Sequence, residues 1–314
     1  MRRETGTLTD AAARRDEAAV VATLRSGKRP GSDGESALAM AANLDEPEII
    51  NLLCGAGVNA DALDSRGNSA LHCAARMGNS LSVMALLRAD ADPNARNDSG
   101  QTPLAVSADC GDAVSVQCML DAEGNANIPD DSGKSPLMRA SMFGDAKIIK
   151  MLVRAGGDAN IRDSRNMTAL LYAAQTGGPG AIETLIAGGG DPNAKCGGMT
   201  ALHFAASEGN LSAIPELVVG GANVNALSGG NRATPLHLAA ALGDTGPAFM
   251  LLGLGSDASI LDRDGVSASE VAKEAGNEHV ALACQITSSL RAEAHGRDAV
   301  EAPPEEMTLG RSMG

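Results

Sequence analysis

The sequence predicts an all-α repeat fold, an α-solenoid of stacked helix–turn–helix units joined by hairpin loops. Two observations carry this reading. A Thr or Ser recurs at 69, 102, 135, 168, 200 and 234, at intervals of 33, 33, 33, 32 and 34 residues, and each is followed two positions later by Leu. A fixed period of this length marks supersecondary units stacked along one axis. The hydrophobic fraction is 44% but the aromatic fraction only 1%, so the core is expected to consist of Ala, Leu, Val, Ile and Met. An earlier unit begins at Ser36 and a later, degraded one at Ser267, each 33 residues from its neighbour, and residues 8–27 look like a unit without its leading turn.

Each element of the unit has a physical reason. Thr or Ser can N-cap a first helix, and Pro103, Pro136 and Pro235 follow at the first helical position, where the missing N–H costs nothing. Leu71, Leu104, Leu137, Leu170, Leu202 and Leu236 supply one buried position per unit, and pairs such as Ala74-Ala75, Ala173-Ala174 and Ala205-Ala206 allow close helix approach. Gly78, Gly111, Gly144, Gly177, Gly209 and Gly243 are expected to end the first helices as left-handed caps. Second helices carry apolar residues at helical spacing, for example Ile148, Ile149, Met151 and Leu152. Asn94, Asn127, Asn160, Asn193 and Asn225 precede the hairpins, with Asp61 and Ser259 in the outer units; Asn suits turns by bonding nearby backbone and tolerating left-handed geometry. The run 177–180 (GGPG) is an unusually breakable link and a candidate hinge.

The best unit, Thr234-Pro235-Leu236-His237 with Ala239 and Ala240, carries the T-P-L-H-x-A-A pattern, and the chain resembles the ankyrin repeat family over roughly residues 8–286. The expected organisation is a disordered N-terminus (1–7), a helical N-terminal cap (8–30), seven ankyrin repeats (31–260), a degraded C-terminal capping repeat (261–286) and a disordered acidic tail (287–314). The resemblance implies that His72, His203 and His237 hydrogen-bond between repeats, and that partners dock on a concave surface of hairpin tips and first helices. In some members the repeat Asn is hydroxylated; the structural role is preferred here.

Composition and motifs exclude much else. No run of 18 apolar residues is present, so membrane insertion is not expected. The N-terminal stretch lacks the apolar core of a signal peptide, and six cysteines without a CxxC pair fit a reduced compartment, so a cytoplasmic location, with the nucleus also open, is the expectation. A net charge of −14 with so few aromatics argues against nucleic acid. The histidines and cysteines lie at spacings unsuited to a metal, the glycine-rich runs match no phosphate loop, and the Asp residues at the hairpins are turn residues. No nucleophile stands beside a base. No catalytic residue, cofactor or metal is therefore assigned, and no enzyme activity is expected.

What remains is a surface. Carried over from the family, the first-helix ends and hairpins bring together Arg66, Arg76, Met77, Arg96, Lys134, Arg139, Met142, Phe143, Arg162, Arg165 and Met167 as a central strip, with Arg139 expected to snorkel toward it from a position held elsewhere by Val106, Tyr172 and Phe204. Two readings of the strip stay open. Solvated repeats need charge and Met fills gaps, or the strip is a groove for an acidic segment with an apolar anchor. The expected function is a non-catalytic protein-interaction module, an adaptor or scaffold, monomeric on its own. The alternatives are a regulatory or chaperone subunit of an enzyme complex and, remotely, an enzyme with an unrecognised site.

Overall fold

The computed structural model describes residues 7–27, 29–176, 178 and 180–300, with side chains as far as residue 293. Nine helix pairs follow one another in it. The first helices are α1 (Leu8–Ala13), α3 (Gly31–Leu44), α5 (Ala70–Met77), α7 (Pro103–Cys110), α9 (Pro136–Phe143), α11 (Ala169–Thr176), α13 (Ala201–Glu208), α15 (Pro235–Ala240) and α17 (Ala268–Glu274). Their partners are α2 (Glu17–Arg25), α4 (Pro47–Gly55), α6 (Ser80–Arg88), α8 (Ala113–Asp121), α10 (Ala146–Arg154), α12 (Ala181–Ala187), α14 (Ala213–Val219), α16 (Gly246–Gly253) and α18 (Glu278–Val300). Among the described residues the one strand pair is an antiparallel hairpin, β1 (Lys195–Cys196) and β2 (Met199–Thr200).

The stack forms because each pair buries itself on the next. First helix packs on first helix and second on second along the chain. The repeat leucines from Leu71 to Leu236 are at most 1% exposed, and Ala74, Ala75, Ala173, Ala174, Ala205 and Ala206 are fully buried, which brings the first helices close together. Ile148, Ile149 and Leu152 fill the layer between the two helix rows. Burial of each such Leu or Ile is worth about 1.5–3 kcal/mol, and no single pair could supply both walls of its own core.

Caps define the helix ends. Thr102 Oγ1 accepts from the Ala105 amide at 3.2 Å and Ser135 Oγ from the Met138 amide at 3.3 Å. Gly78, Gly111, Gly144 and Gly209 close their helices at φ of +69°, +73°, +68° and +73°, a region costly for residues with a Cβ. Gly243 does not follow them. Helix α15 ends at Ala240 with Ala241 still right-handed, and Asn277 of the next unit donates to the carbonyls of Ala240 and Leu242 instead. Of the expected hinge, residues 177 and 179 lie outside the described residues; a Cβ at Gly178 would sit 2.0 Å from the Gly144 carbonyl oxygen.

Three sets of bonds join neighbouring repeats. The imidazole Nε2 atoms of His72, His203 and His237 donate to the carbonyls of Gln101, Ala233 and Val266 at 2.9, 3.0 and 3.1 Å, while their Nδ1 atoms face the Ser69, Thr200 and Thr234 hydroxyls. Each repeat Asn reaches forward rather than into its own turn. Asn160 donates to the Gly189 carbonyl at 2.8 Å and accepts from the Asp191 amide at 3.0 Å, and Asn94, Asn127 and Asn193 do the same to their own neighbours. None of the five takes a left-handed conformation, contrary to the turn role expected of them. Hairpin tips add backbone bonds, such as Asp131 N–H to Ser99 C=O at 3.1 Å and Ser164 N–H to Ser132 C=O at 2.9 Å.

Seven helix pairs, α3 to α16, stand between α1–α2 and α17–α18. Residues 287–300, expected to begin a disordered tail, continue α18, a helix of 23 residues. Its first turns are anchored by buried Val280, Ala281 and Cys284, and no glycine or proline intervenes before Gly296. The remaining expected tail, 301–314, and residues 1–6 lie outside the described residues.

Two predictions follow from these bonds. Removing the Asn160 amide in Asn160→Ala breaks two inter-repeat bonds and is expected to cost about 1–2 kcal/mol, measured by urea unfolding. Burial pushes the imidazole pKa values of His72, His203 and His237 below the ordinary histidine value, against the opposing pull of the carbonyl each donates to. The native state therefore stays neutral while the unfolded chain takes up protons below about pH 6.5, so stability is lost as pH falls through that value. The slope is at most about 1.4 kcal/mol per pH unit for each histidine. The melting temperature should drop from pH 7 to pH 5, less steeply for His203→Asn; a flat profile contradicts this.

Candidate functional site

The first-helix face is built from two repeating positions: the last turn of each first helix and the turn that precedes it. In each turn an Asp or Asn side chain collects backbone amides. Asp130 Oδ1 accepts from Ser132 and Lys134 at 2.8 and 2.9 Å, and Asp163 Oδ1 from Arg165 and Met167, both at 2.9 Å. Asn97 and Asp64 do the same one and two units before Asp130. These carboxylates are thereby fixed beside the first helix of their own unit, within reach of its exposed side.

That placement decides what the expected cations do. Arg139 does not snorkel outward: its side chain is 12% exposed and its guanidinium bridges Asp109 at 2.7 Å and Asp130. Burial raises the Asp130 pKa, but the Ser132 hydroxyl, the Lys134 amide and Arg139 outweigh it and hold the carboxyl below its usual range. One repeat on, Tyr172 donates to Asp163 at 2.5 Å and accepts from Arg165 at 2.6 Å, with the Arg165 guanidinium 5.7 Å from the ring centroid. Burial and then the Asp163 carboxylate push the Tyr172 phenol up, so it stays a donor. Arg96 pairs with Asp131 at 2.9 Å, Arg162 donates to the Asn166 and Lys195 carbonyls, and Arg76 donates to Asn68 Oδ1 at 2.9 Å. Lys134 donates to the Ser132 hydroxyl at 3.3 Å, and Arg66 is exposed.

The apolar members separate as clearly. Met77 and Phe143 are 58% and 64% exposed at equivalent helix ends two repeats apart, and Met142 is half-buried beside Phe143. Between them Cys110 holds the same position and its thiol donates to the Arg76 carbonyl at 3.4 Å. Met167 is 5% exposed and belongs to the core, because its turn folds its side chain beneath the hairpin. Of the eleven strip residues nine thus keep to the surface of this face, while Met167 lies in the core and Arg139 is neutralised by Asp109 and Asp130. Its charge is mixed rather than basic: Asp109, Asp130, Asp131 and Asp163 meet Arg139, Arg96 and Arg165 on the spot. Sequence reasoning missed these acids as partners, and the available signal was the 33-residue register that sets Asp130 and Asp163 beside the following helix.

Among the described residues no group of three or more His, Cys, Asp or Glu side chains is placed to hold a metal ion, and no helix is long and apolar enough to cross a membrane. With this geometry in place, the comparison with known families is direct. The family profile described as "Ankyrin repeats (3 copies)" matches residues 8–97, 78–163, 138–228 and 170–264, and the chain belongs to the ankyrin repeat family. No curated protein matches the sequence. Ankyrin repeats are protein–protein interaction modules, and the fold is an all-α repeat solenoid of that kind.

The two kinds of arginine should respond differently to truncation. Arg139→Ala leaves buried Asp130 without its partner and is expected to cost about 2–3 kcal/mol, allowing for the partial exposure of Asp109. Arg96→Ala, in an exposed pair, is expected to cost under about 1 kcal/mol. Urea unfolding of both variants checks the order; equal losses contradict it.

Proposed function

We propose that the chain acts as a non-catalytic adaptor or scaffold that docks a protein partner on its concave, first-helix face. The observation that carries this is the pair Met77 and Phe143, both more than half exposed, at matching positions two repeats apart. Two large apolar side chains held by short, capped helices on an otherwise polar face form a rigid two-point anchor. Separation by two helix layers, about 8–10 Å each, spaces them about 16–20 Å apart, which suits an extended segment or helix crossing three repeats. Half-buried Met142 beside Phe143 adapts to the partner's shape.

Charge on this face serves orientation. Arg66, Arg76 and Lys134 have no carboxylate within ion-pair distance among the described residues, and they flank the anchor. A partner carrying acidic groups beside apolar ones fits that arrangement. Arg139, Met167 and the paired Arg96 and Arg165 hold the face in shape instead.

The test is affinity capture from native lysate with the full chain and with Met77→Ser/Phe143→Ser. Both sites are exposed, so the variant should keep its stability within about 0.5 kcal/mol by thermal melt. A partner retained by the wild-type chain and lost by the variant supports this reading; the same partners on both sink it.

A further inference from the structure

The second helices form the opposite side of the stack, and there the acidic balance of the chain reverses, with one cation (Arg88) on α6 and three on α10. Helix α10 carries Lys147, Lys150 and Arg154 and no carboxylate, whereas α4, α12 and α14 each carry a glutamate and α8 ends in Asp121. The spacing i, i+3, i+7 sets the three cations along one side of α10 over about 10 Å. All three are exposed, and none has an ion-pair partner among the described residues. The neighbouring acids are occupied elsewhere. Asp121 accepts from Gln117 Nε2 at 2.7 Å, Asp145 caps α10 through the Lys147 and Ile148 amides, and Asp112 caps α8. Glu183, on the next second helix α12, makes no ion pair with the three cations.

Beside this row lies a cleft of about 490 Å³ between α8 and α10. Its floor is apolar, made by Val114, Cys118 and Met151, and Val114 is 52% exposed. A cation row bordering an apolar trough is an incomplete site: the row lacks anions and the floor lacks a covering side chain.

We propose that this cleft binds an acidic peptide segment of a protein partner, its carboxylates along Lys147, Lys150 and Arg154 and one apolar side chain seated on Val114 and Met151. Charge complementarity selects the acidic partner. On a chain of net charge −14, three unpaired cations on one helix are the local exception that a carboxylate-bearing segment would find. The cleft selects a peptide over a lipid surface, since a bilayer would touch the cation row but could not enter the trough. No aromatic ring lines the cleft for base stacking, and the surrounding acidic chain repels a long polyanion. This site is independent of the first-helix face and would let the solenoid hold two partners on opposite sides.

The experiment uses a fluorescein-labelled peptide of alternating glutamate and leucine with the full chain, read by anisotropy. Binding is expected to weaken about tenfold or more in Lys147→Glu/Lys150→Glu, and to weaken in high salt. The same loss is expected when both chains also carry Met77→Ser/Phe143→Ser, which separates this site from the first-helix face. A second readout uses that Met77→Ser/Phe143→Ser chain: the peptide should slow alkylation of half-buried Cys118 and leave exposed Cys110, on the first-helix face, unaffected. Should circular dichroism find the double variant unfolded, Lys150→Gln and the Cys118 readout decide. Equal affinity for wild type and variant, protection of Cys110 instead of Cys118, or binding to phosphatidylserine vesicles without binding to the peptide would each overturn the proposal.

Discussion

Each repeat of this chain is finished by its neighbour, and everything else depends on that constraint. An isolated pair of helices eight or nine residues long is too short to be stable alone and buries only one side of each helix. Stacking supplies the missing wall, and the polar atoms left at the seam are met in the same act. The histidine of one first helix donates to a carbonyl of the next unit, and the repeat Asn bridges an amide and a carbonyl there. At the three histidine junctions the seam without those bonds would leave buried polar groups unsatisfied, while the Asn bonds add their contacts at the exposed edge. The Asn ladder and the histidines thus make stacking both possible and specific in register.

The same register organises charge. Asp130 and Asp163 are held by backbone amides of their own turns, with one carboxylate oxygen left free to take Arg139 or Tyr172 of the adjoining helix. The first-helix face is consequently preordered and mixed in charge, with apolar Met77 and Phe143 standing out from it. On the second-helix side the turn acids Asp112 and Asp145 cap their own helices, and among the described residues Lys147, Lys150 and Arg154 of α10 have no ion-pair partner, whereas Arg291 of α18 pairs with Asp257. An acidic solenoid can in this way present two chemically different surfaces on one rigid core.

A linear stack suits an interaction module. Convergent catalytic geometry needs side chains from several elements aimed at one point, while a solenoid spreads its side chains along a line. A line of repeated, individually weak positions suits an extended partner, and its affinity can be tuned one repeat at a time.

The repeat, its length, the aliphatic core and the glycine caps at 78, 111, 144 and 209 were legible in the sequence, because each depends on short-range pattern, whereas the cap expected at Gly243 was not formed. Thr at 102, Pro at 103, Leu at 104 and Gly at 111 do in three dimensions what their chemistry demands locally. The inter-repeat role of His72, His203 and His237 was legible too, though through family resemblance. Tertiary structure alone decided the rest: Asn160 bonds forward and not within its turn, Met167 is core, and Arg139 is locked between Asp109 and Asp130. Asn160 and Arg139 each take a partner about 30 residues away, Gly189 and Asp109, brought within 3 Å by stacking. Whether a cation is free or paired is a property of that contact and not of its own sequence neighbourhood. Lys147, Lys150 and Arg154 are without an ion pair for the same reason: among the described residues no turn acid of a neighbouring repeat comes into ion-pair contact with them.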